Sequence, residues 1–301
     1  PMMKRALEGA SFISAYDRNG ISGVLGVRPP EKLDEAAARE FAAKQGLGVV
    51  LTGSLAPQGR GYRVAVRATQ TVTGDVIATA QASAASRDQV LEVATSLMAR
   101  VRSALGDDTS DSSQMFAMAS LSATSLDVLR HYAAAREASS NGKFDEARQS
   151  YAKAVELDPK FGIGYQALAG VSMNQGNLQD TEKYMKQALS YVDGMTERER
   201  YTTRGMYYRL TGDYQLCAKE YSDLVTRYPV EVLARNNLAL CLTYLRDMPK
   251  ALEEMRRVVE ILPKRALFRI NLALYASYAG DFPTGEREAR AVQDLGSQQW
   301  G

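Results

Sequence analysis

The sequence is poor in the residues from which many catalytic and metal sites are built. Its 301 residues include a single histidine, His131, and two cysteines. We interpret His131 as a packing residue of a helix, so neither a Ser-His-Asp triad nor a metal site with two histidines is available. Cys217 and Cys241 lie in separate predicted helices and are interpreted as buried structural thiols, since a pair this far apart makes no disulfide framework. We therefore predict a protein that is not an enzyme, with no catalytic residue and no metal site.

Nucleotide-binding and membrane-spanning signatures are also missing. The segment 59–64 begins like a glycine-rich nucleotide loop, but Val64 stands where the third glycine belongs, which favours a β-turn. The HRD and DFG tripeptides of protein kinases do not occur, so a kinase would lie outside this chain. No apolar run approaches the roughly 20 residues of a membrane helix. With 37 basic and 35 acidic side chains, we expect no nucleic acid, no cofactor and no membrane span in this chain. The charged runs 197–200 and 253–257 are interpreted as solvated helix faces.

The dominant feature of the sequence is an internal repeat from about residue 128 to residue 299. Pro229 and Pro263 lie 34 residues apart, and Pro159 lies 70 residues before Pro229, which is two periods and two inserted residues. Small residues keep the same step, at Ala135, Ala169, Gly205, Ala239 and Ala273. A turn register contains Gly142, Gly176, Gly212 and Gly280, with Arg246 in place of one glycine. A third register contains Tyr151, Met185, Tyr221, Met255 and Ala289.

Each register has a physical reason if one period is a pair of helices. The small residue lies where the two helices meet, the turn glycine provides the positive φ that ends the first helix, and proline ends the second helix. A period near 34 with two helices is typical of tetratricopeptide repeats, which this part of the chain resembles. Five repeats fit, numbered 1 to 5, at residues 128–161, 162–195, 198–231, 232–265 and 266–299, with Thr196 and Glu197 as the insertion.

Residues 1–106 show a different pattern, which predicts a small α+β domain. The predicted elements are the end of a helix at 2–8, a strand at 10–16, a helix at 31–45, strands at 49–56, 62–71 and 76–82, and a helix at 88–105. The alternation of Tyr62, Val64 and Val66 indicates a half-buried strand. Two prolines before residue 31, acidic residues in the first turn and Gly46 at the end indicate the bounds of the helix at 31–45.

The same region resembles the TolB-like amino-terminal domain over roughly residues 4–105. The resemblance is carried by the helix end at 43–46 (AKQG), the strand at 51–54 (LTGS) and the hairpin at 72–75 (VTGD). That family usually opens with a further strand, which this chain lacks. Combined with tetratricopeptide repeats, the resemblance implies the non-catalytic part of a bacterial signalling protein. The partner module in such proteins is a serine/threonine kinase, an adenylate cyclase or a DNA-binding regulator.

We predict a small α+β amino-terminal domain followed by an all-α, right-handed superhelical tetratricopeptide solenoid. The first domain covers residues 1–106 and is truncated at its start. Residues 107–124 form a linker with a short helix at 114–121, and residues 125–299 contain the repeats. The chain begins with Pro1 and ends after the second helix of a repeat without a polar capping helix. We therefore expect a fragment whose repeats continue beyond Gly301.

The resemblance also implies a binding groove. In tetratricopeptide arrays the first helix of each repeat lines the groove through its second, fifth, ninth, twelfth and thirteenth positions. The candidate groove residues are Tyr132, Arg136, Gln166, Asn174, Thr202, Arg209, Asn236, Thr243, Tyr244, Ser277 and Tyr278. Their hydroxyls, amides and two arginines predict side-chain hydrogen bonds to an extended peptide or a helix; the alternative is a groove filled by neighbouring helices or left empty. Thr202 and Met206 stand where chaperone-binding members have Lys and Asn, so we expect no binding of chaperone tails.

The favoured function is a non-enzymatic scaffold that binds a protein or peptide segment in the groove. The alternative is a sensory or regulatory segment of a membrane-anchored bacterial serine/threonine kinase or adenylate cyclase whose catalytic domain is not in this chain. An enzyme with its site between the domains would need an acid cluster near the linker, where only Asp107, Asp108 and Asp111 occur. The exposed end of the solenoid suggests a homo-oligomer with end-to-end contacts. The compartment, cytoplasmic or periplasmic, stays open.

Overall fold

The computed structural model describes residues 2–7, 10, 12–16, 34–107 and 125–297. The start of the helix predicted at 31–45 and the linker helix predicted at 114–121 lie outside the described residues. Contacts group the chain into two compact units, an amino-terminal unit of residues 1–199 and a carboxy-terminal unit of residues 200–301.

The amino-terminal unit begins with a three-stranded antiparallel sheet and three helices. The strands β1 (Val49–Gln58), β2 (Gly61–Gln70) and β3 (Val76–Ala84) lie in the order β1-β2-β3. The helices are α1 (Met2–Leu7), α2 (Glu35–Gln45) and α3 (Gln89–Ala104). Val64, Val66 and Ala68 alternate on the buried face of β2 and share one core with Leu97 and Met98 of α3. The alternation in the sequence therefore marks the covered face of the sheet.

Helix α2 holds the β2–β3 hairpin through one arginine. The Arg39 guanidinium donates to the carbonyl oxygens of Thr71 and Val72, at 3.2 Å each. The neighbouring Gly74 has a φ of 81°, and a Cβ built on it would lie 2.7 Å from Nη1 of Arg39. The VTGD hairpin therefore needs a glycine for its backbone conformation, and a side chain at this position would displace the end of Arg39.

The strand predicted at residues 10–16 is not formed by the described residues of this segment, residue 10 and residues 12–16. Two carbonyl groups of this segment accept hydrogen bonds from an arginine instead. Nη2 of Arg198 donates to the carbonyl oxygens of Ala10 at 2.6 Å and Ile13 at 3.0 Å. Tyr16 packs edge-on against Phe41, with ring centroids 5.6 Å apart. The interpretation of the run 197–200 as solvated is wrong for Arg198, which is buried by these contacts.

The first of the three acids near the predicted linker is buried. Asp107 forms an ion pair with Arg102 of α3 at 2.9 Å, and both side chains are almost fully enclosed. Nη1 of Arg102 also donates to the carbonyl oxygen of Ala6 in α1, at 2.9 Å. Arg102 therefore joins α3 to α1, and Asp107 neutralises its buried charge.

Ten helices follow in the described residues from 125 to 297, and they have the arrangement of tetratricopeptide repeats. In repeats 1 and 2 they are α4 (Leu126–Ser140), α5 (Phe144–Leu157), α6 (Gly162–Asn174) and α7 (Leu178–Ser190). In repeat 3 they are α8 (Glu197–Thr211) and α9 (Tyr214–Arg227). In repeats 4 and 5 they are α10 (Val232–Tyr244), α11 (Met248–Ile261), α12 (Ala266–Tyr278) and α13 (Phe282–Ser297). The predicted class, a small α+β portion followed by helical repeats, is confirmed.

The turn register behaves as its residue types predict. Gly142, Gly176, Gly212 and Gly280 have φ values of 73°, 73°, 79° and 79°. Arg246 occupies the same place in repeat 4 and adopts a φ of 63°. A left-handed conformation at a residue with a Cβ costs about 1–2 kcal/mol. The period thus imposes the turn even where the sequence lacks glycine.

The register of small residues lies at the helix crossings of the first four repeats. Ala135, Ala169 and Ala239 are fully buried. In repeat 3 a Cβ on Gly205 would lie 2.6 Å from the Tyr221 ring, so this crossing accepts only glycine. Repeat 5 departs from the pattern, because Ala273 is half-buried and Ala289 is exposed.

Repeats 4 and 5 share an arginine clasp. Arg235 pairs with Glu254 and donates from Nε to the Pro229 carbonyl at 2.8 Å. The equivalent residues 34 positions later, Arg269 and Glu288, pair in the same way, and Arg269 donates to Pro263 O at 2.6 Å. The interpretation of the run 253–257 as solvated is therefore wrong for Glu254. Each clasp joins the two helices of a repeat to the proline turn before it.

The two cysteines form a disulfide, so their interpretation as buried thiols is wrong. Cys217 of α9 and Cys241 of α10 have Cα atoms 6.0 Å apart and are bonded through their sulfur atoms. Both residues are fully buried. They are 24 residues apart in the sequence, but the second helix of repeat 3 packs on the first helix of repeat 4 and brings them together.

Candidate functional site

The candidate groove residues of repeats 1 and 2 differ in how far their side chains are exposed to solvent. Tyr132 is 8% exposed and packs against the rings of Tyr151 and Phe161, with centroids 5.4 and 5.3 Å away. Its ring belongs to the core, which a partner cannot reach without unfolding the helix pair. Arg136 and Gln166 are half-buried, and Asn174 is exposed. These residues do not form a continuous exposed surface around Tyr132.

The polar candidates of the carboxy-terminal unit are mostly engaged within the unit. Asn271 donates through its side-chain amide to the Asn236 side-chain oxygen at 2.8 Å. The hydroxyls of Thr243 and Ser277 donate to the carbonyl oxygens one turn earlier, at 2.9 and 2.8 Å. Thr202 and Arg209 are half-buried. The donors that were predicted to bind a partner are therefore used largely for contacts inside and between helices.

Two tyrosines are the large exposed side chains among the candidates of this unit. Tyr244 is 53% exposed and stacks on Tyr214, with centroids 4.4 Å apart and rings within 9° of parallel. Tyr278 is 65% exposed. Burial raises the pKa of the neighbouring Tyr275 phenol, and the phenols of Tyr244 and Tyr278 raise it further. The Tyr275 phenol therefore lies near those of Tyr244 and Tyr278, which end α10 and α12.

Sequence reasoning missed a set of aliphatic residues at the same helix positions. The second, fifth and ninth positions of α10 and α12 include Leu233, Leu240, Leu267, Ile270 and Leu274. Four of them are large exposed hydrophobics, and Leu240 is half-buried. The positional rule that selected the polar candidates points equally to these residues. We name the set of Leu233, Leu240, Tyr244, Leu267, Ile270, Leu274 and Tyr278 the apolar face.

The exposure of the apolar face recurs at matching positions of α10 and α12. Leu233 and Leu267 share the second position and are 51% and 55% exposed. Helix α10 packs against both α9 and α11. Its exposed residues therefore belong to a helix that has neighbours on both sides in the sequence. Because α12 repeats the pattern, the two helices present matching apolar stripes.

The inward positions of α8, α10 and α12 carry few charges. The charged residues among them are Glu199 at the second position and Arg209 at the twelfth position of α8. Arg209 lies near the buried Tyr221. Burial raises the Tyr221 pKa to about 12, against the opposing effects of the Arg209 charge and a hydrogen bond with Asn237. The inward positions of α10 and α12 are thus uncharged, and those of α8 carry one charge of each sign.

Two other kinds of site were searched for in the described residues. No group of three or more His, Cys, Asp or Glu side chains able to hold a metal ion occurs within them. None of the helices in the described ranges is long and apolar enough to cross a membrane.

Comparison with known families identifies the repeats. Two family models described as "Tetratricopeptide repeat" match, one at residues 130–161 and the other at residues 202–266. The chain therefore contains tetratricopeptide repeats. It is 32% identical over 100 residues to "Tetratricopeptide repeat protein 6" from Homo sapiens, a match that covers 32% of this chain and 18% of the relative. The chain spans less than a fifth of the length of that curated relative.

Solved structures with similar helical arrays share little sequence with this chain. "MamA RS-1 ArsTM double mutant" is 15% identical over 58% of this chain and 98% of its own, with a TM-score of 0.42. "MamA 41-end from Desulfovibrio magneticus RS-1" is 15% identical over the same shares, with a TM-score of 0.41. "Crystal structure of YrrB: a TPR protein with an unusual peptide-binding site" is 20% identical over 56% of this chain and 86% of its own, with a TM-score of 0.38. At these values the likeness says nothing about partner or activity.

The resemblance of residues 4–105 to the TolB-like domain stays a prediction, and so does the link to a kinase or cyclase. The predicted domain bounds also stay predictions.

Proposed function

We propose that this chain is a non-enzymatic scaffold whose tetratricopeptide repeats bind a segment of a partner protein. The observation that carries the proposal is the apolar face, where large side chains lie exposed at equivalent positions of α10 and α12. Exposed apolar patches with a polar surrounding are typical of interaction surfaces. In this proposal residues 1–106 form one domain that positions the repeats, residues 107–124 link it to them, and residues 125–299 carry the binding function.

The energetic argument rests on the surface that these side chains keep in water. Leu267, Leu274 and Tyr278 are 55%, 43% and 65% exposed. Complete burial of such a side chain stabilises by about 1.5–3 kcal/mol, so covering the exposed half contributes about 1 kcal/mol each. Tyrosine is also among the residue types enriched in protein interfaces. Covering the apolar face therefore favours association with a partner.

The test is affinity capture with the whole chain as bait, from an extract of the source organism, followed by quantitative mass spectrometry. The bait variant carries Tyr244→Ala and Tyr278→Ala. The matched control is Phe282→Ala, since Phe282 is 68% exposed but lies outside the groove positions. We expect a partner that is captured by the wild type and the control and is lost from the double variant. The same set of proteins on all three baits, at equal amounts, would contradict the proposal.

A further inference from the structure

We propose that the outer edge of β1 pairs with the same edge of a second copy of this chain, so that two sheets join into one. The two copies are related by a two-fold axis that passes through β1. The inference is independent of the proposed binding function, because it concerns the sheet and not the repeats. Three observations lead to it: an open edge, a strand without charged residues, and the positions of its exposed apolar side chains.

The outer edge of β1 has unpaired backbone groups. Within the described residues β1 lies at one side of the three-stranded sheet, with β2 as its strand neighbour. The N–H of Thr71 donates to the carbonyl oxygen of Gly48, and the antiparallel ladder alternates from there, so the even-numbered residues of β1 bond to β2. The N–H and C=O groups of Leu51, Gly53 and Leu55 consequently point away from β2. A row of this kind is a template for another strand.

The edge lacks the features that usually prevent strand pairing. Sheet proteins protect an exposed edge with charged side chains, prolines or bulges. The sequence of β1 (VVLTGSLAPQ) contains no charged residue, and its pairing with β2 has no register shift. Pro57 is its one proline and lies next to the last residue of the strand. The arginines of the sheet, Arg63 and Arg67, are on the central strand β2 instead. Residues 49–56 therefore form an unprotected edge.

The exposed apolar residues of β1 complement one another in a two-fold pair. Val49 and Leu55 are its large exposed hydrophobics, at 37% and 53%. An axis through Thr52, halfway between them, places Val49 of each copy opposite Leu55 of the other. Apolar pairs directly opposite each other stabilise an antiparallel sheet. In this register the outward backbone groups of residues 49–55 of both copies face each other, and Pro57 lies beyond them.

The other edge of the sheet, formed by β3, suits a second copy less well. It also lacks charged residues, but its pairing with β2 has a register shift between Ala68 and Thr69. An irregularity of this kind twists a strand and discourages further pairing. The large exposed hydrophobics of β3, Val76 and Ile77, both lie at its start. A two-fold axis through the middle of β3 would place them opposite the small residues at its end, so they would not cover each other.

Sedimentation velocity of the whole chain at about 1 to about 200 µM measures the association. We expect a monomer–dimer equilibrium in which the dimer increases with concentration. Leu55→Lys places a charge on the paired edge and should weaken dimerisation at least about tenfold. Val76→Lys is the matched control, because Val76 is 55% exposed on the other edge, and it should change the dissociation constant by less than about twofold. Circular dichroism of each variant checks that the fold is retained.

A cysteine cross-link tests the register of the pair. In the proposed register Thr52 faces its own copy at a non-hydrogen-bonded position, where Cα atoms lie about 4.5 Å apart. A disulfide spans this separation. Cys217 and Cys241 are bonded to each other and fully buried, so an introduced cysteine is the free thiol of the chain. Thr52→Cys should therefore form a covalent dimer in a buffer of glutathione and its disulfide, which a non-reducing gel resolves.

The matched control for the cross-link is Ser54→Cys, on the same face of the same strand. Ser54 is more exposed than Thr52, so its cysteine is the more accessible thiol. In the proposed register the two copies of residue 54 are four residues out of step, or about 14 Å apart, which no disulfide spans. Ser54→Cys should therefore give no covalent dimer under conditions that cross-link Thr52→Cys.

Several results would overturn the inference. A monomer at every concentration excludes the dimer. A dimer that persists in Leu55→Lys, or that is lost in Val76→Lys instead, assigns the contact to another surface. Cross-linking of Ser54→Cys as readily as Thr52→Cys, or of neither, excludes the proposed pairing. The proposed function is tested separately, because partner capture depends on Tyr244 and Tyr278; failure of either proposal leaves the other standing.

Discussion

Repeats 1, 4 and 5 have a leucine at the same helix position, but the leucine is buried in repeat 1 and exposed in repeats 4 and 5. Leu129, at the second position of repeat 1, is 6% exposed. Leu233 and Leu267, at the second position of repeats 4 and 5, are 51% and 55% exposed. The period fixes the helix and the position of the side chain on it, but not whether that side chain is covered. The repeat period therefore predicts which side chains share a helix position, but their exposure depends on the residues that pack against them.

The tyrosines at inward positions give the same lesson. Tyr132 was assigned to the groove by the same rule as Tyr278, yet it packs between Tyr151 and Phe161 while Tyr278 remains 65% exposed. The fourth position differs as well, because repeats 1 and 2 have His131 and Tyr165 where repeats 4 and 5 have the clasp arginines. The last two repeats thus combine an internal polar lock with an apolar outer surface.

Breaking the clasp is the strongest test of this difference. Glu254→Ala would leave the Arg235 guanidinium, which is 8% exposed, without its carboxylate. Removing one partner of a buried pair costs about 3 kcal/mol. Ser150 stands at the equivalent place in repeat 1, and Ser150→Ala should cost less than about 0.5 kcal/mol. Urea unfolding of both variants measures the two values. Equal effects would mean that the clasp has no special role in the later repeats.

A smaller effect is expected at the register of small residues, which is buried in both repeat 2 and repeat 4. Ala169→Phe and Ala239→Phe each place a ring at a fully buried helix crossing. Overpacking of this kind costs about 1–3 kcal/mol, and the two variants should lose similar stability, because the crossing is common to all of the first four repeats.

The control for this pair is Ala289→Phe at an exposed position of α13. It should change the free energy of unfolding by less than about 0.5 kcal/mol. Thermal unfolding of the three variants provides the measurement. A loss confined to Ala239→Phe would show that the small-residue register is not shared between early and late repeats.

Much of the fold was predictable because it depends on spacing. The 34-residue period located the helix pairs, the four turn glycines and the left-handed Arg246. Alternation in β2 located the covered face of the sheet. These features depend on residues that are close in sequence or repeat at a constant step, so a single chain contains the information.

The features that were missed depend on contacts between distant residues. Cys217 and Cys241 meet only because α9 packs on α10. The segment at 10–16 has the composition of a strand, but its carbonyls bond to Arg198, about 185 residues away. For the candidate site, the positional rule selects polar and aliphatic residues of α10 and α12 alike, and the choice of the polar ones rested on their capacity for hydrogen bonding. In the structure those polar groups bond within the protein, and the aliphatic residues remain exposed.

The smallest expected effect concerns the one repeat that lacks the turn glycine. Arg246 has a φ of 63°, where a side chain costs about 1–2 kcal/mol, whereas glycine costs about 0.5–1 kcal/mol in unfolded-state entropy. Arg246→Gly should therefore stabilise the chain by about 0.5 kcal/mol. Gly280→Ala is the reverse change at the same place in repeat 5, and it should destabilise by about the same amount or more. Chemical unfolding of both variants compares the turns directly. If Arg246→Gly lowers the stability, the contacts of the Arg246 side chain outweigh its backbone strain. The turn of repeat 4 would then be stabilised by a side chain, unlike the glycine turns of the other repeats.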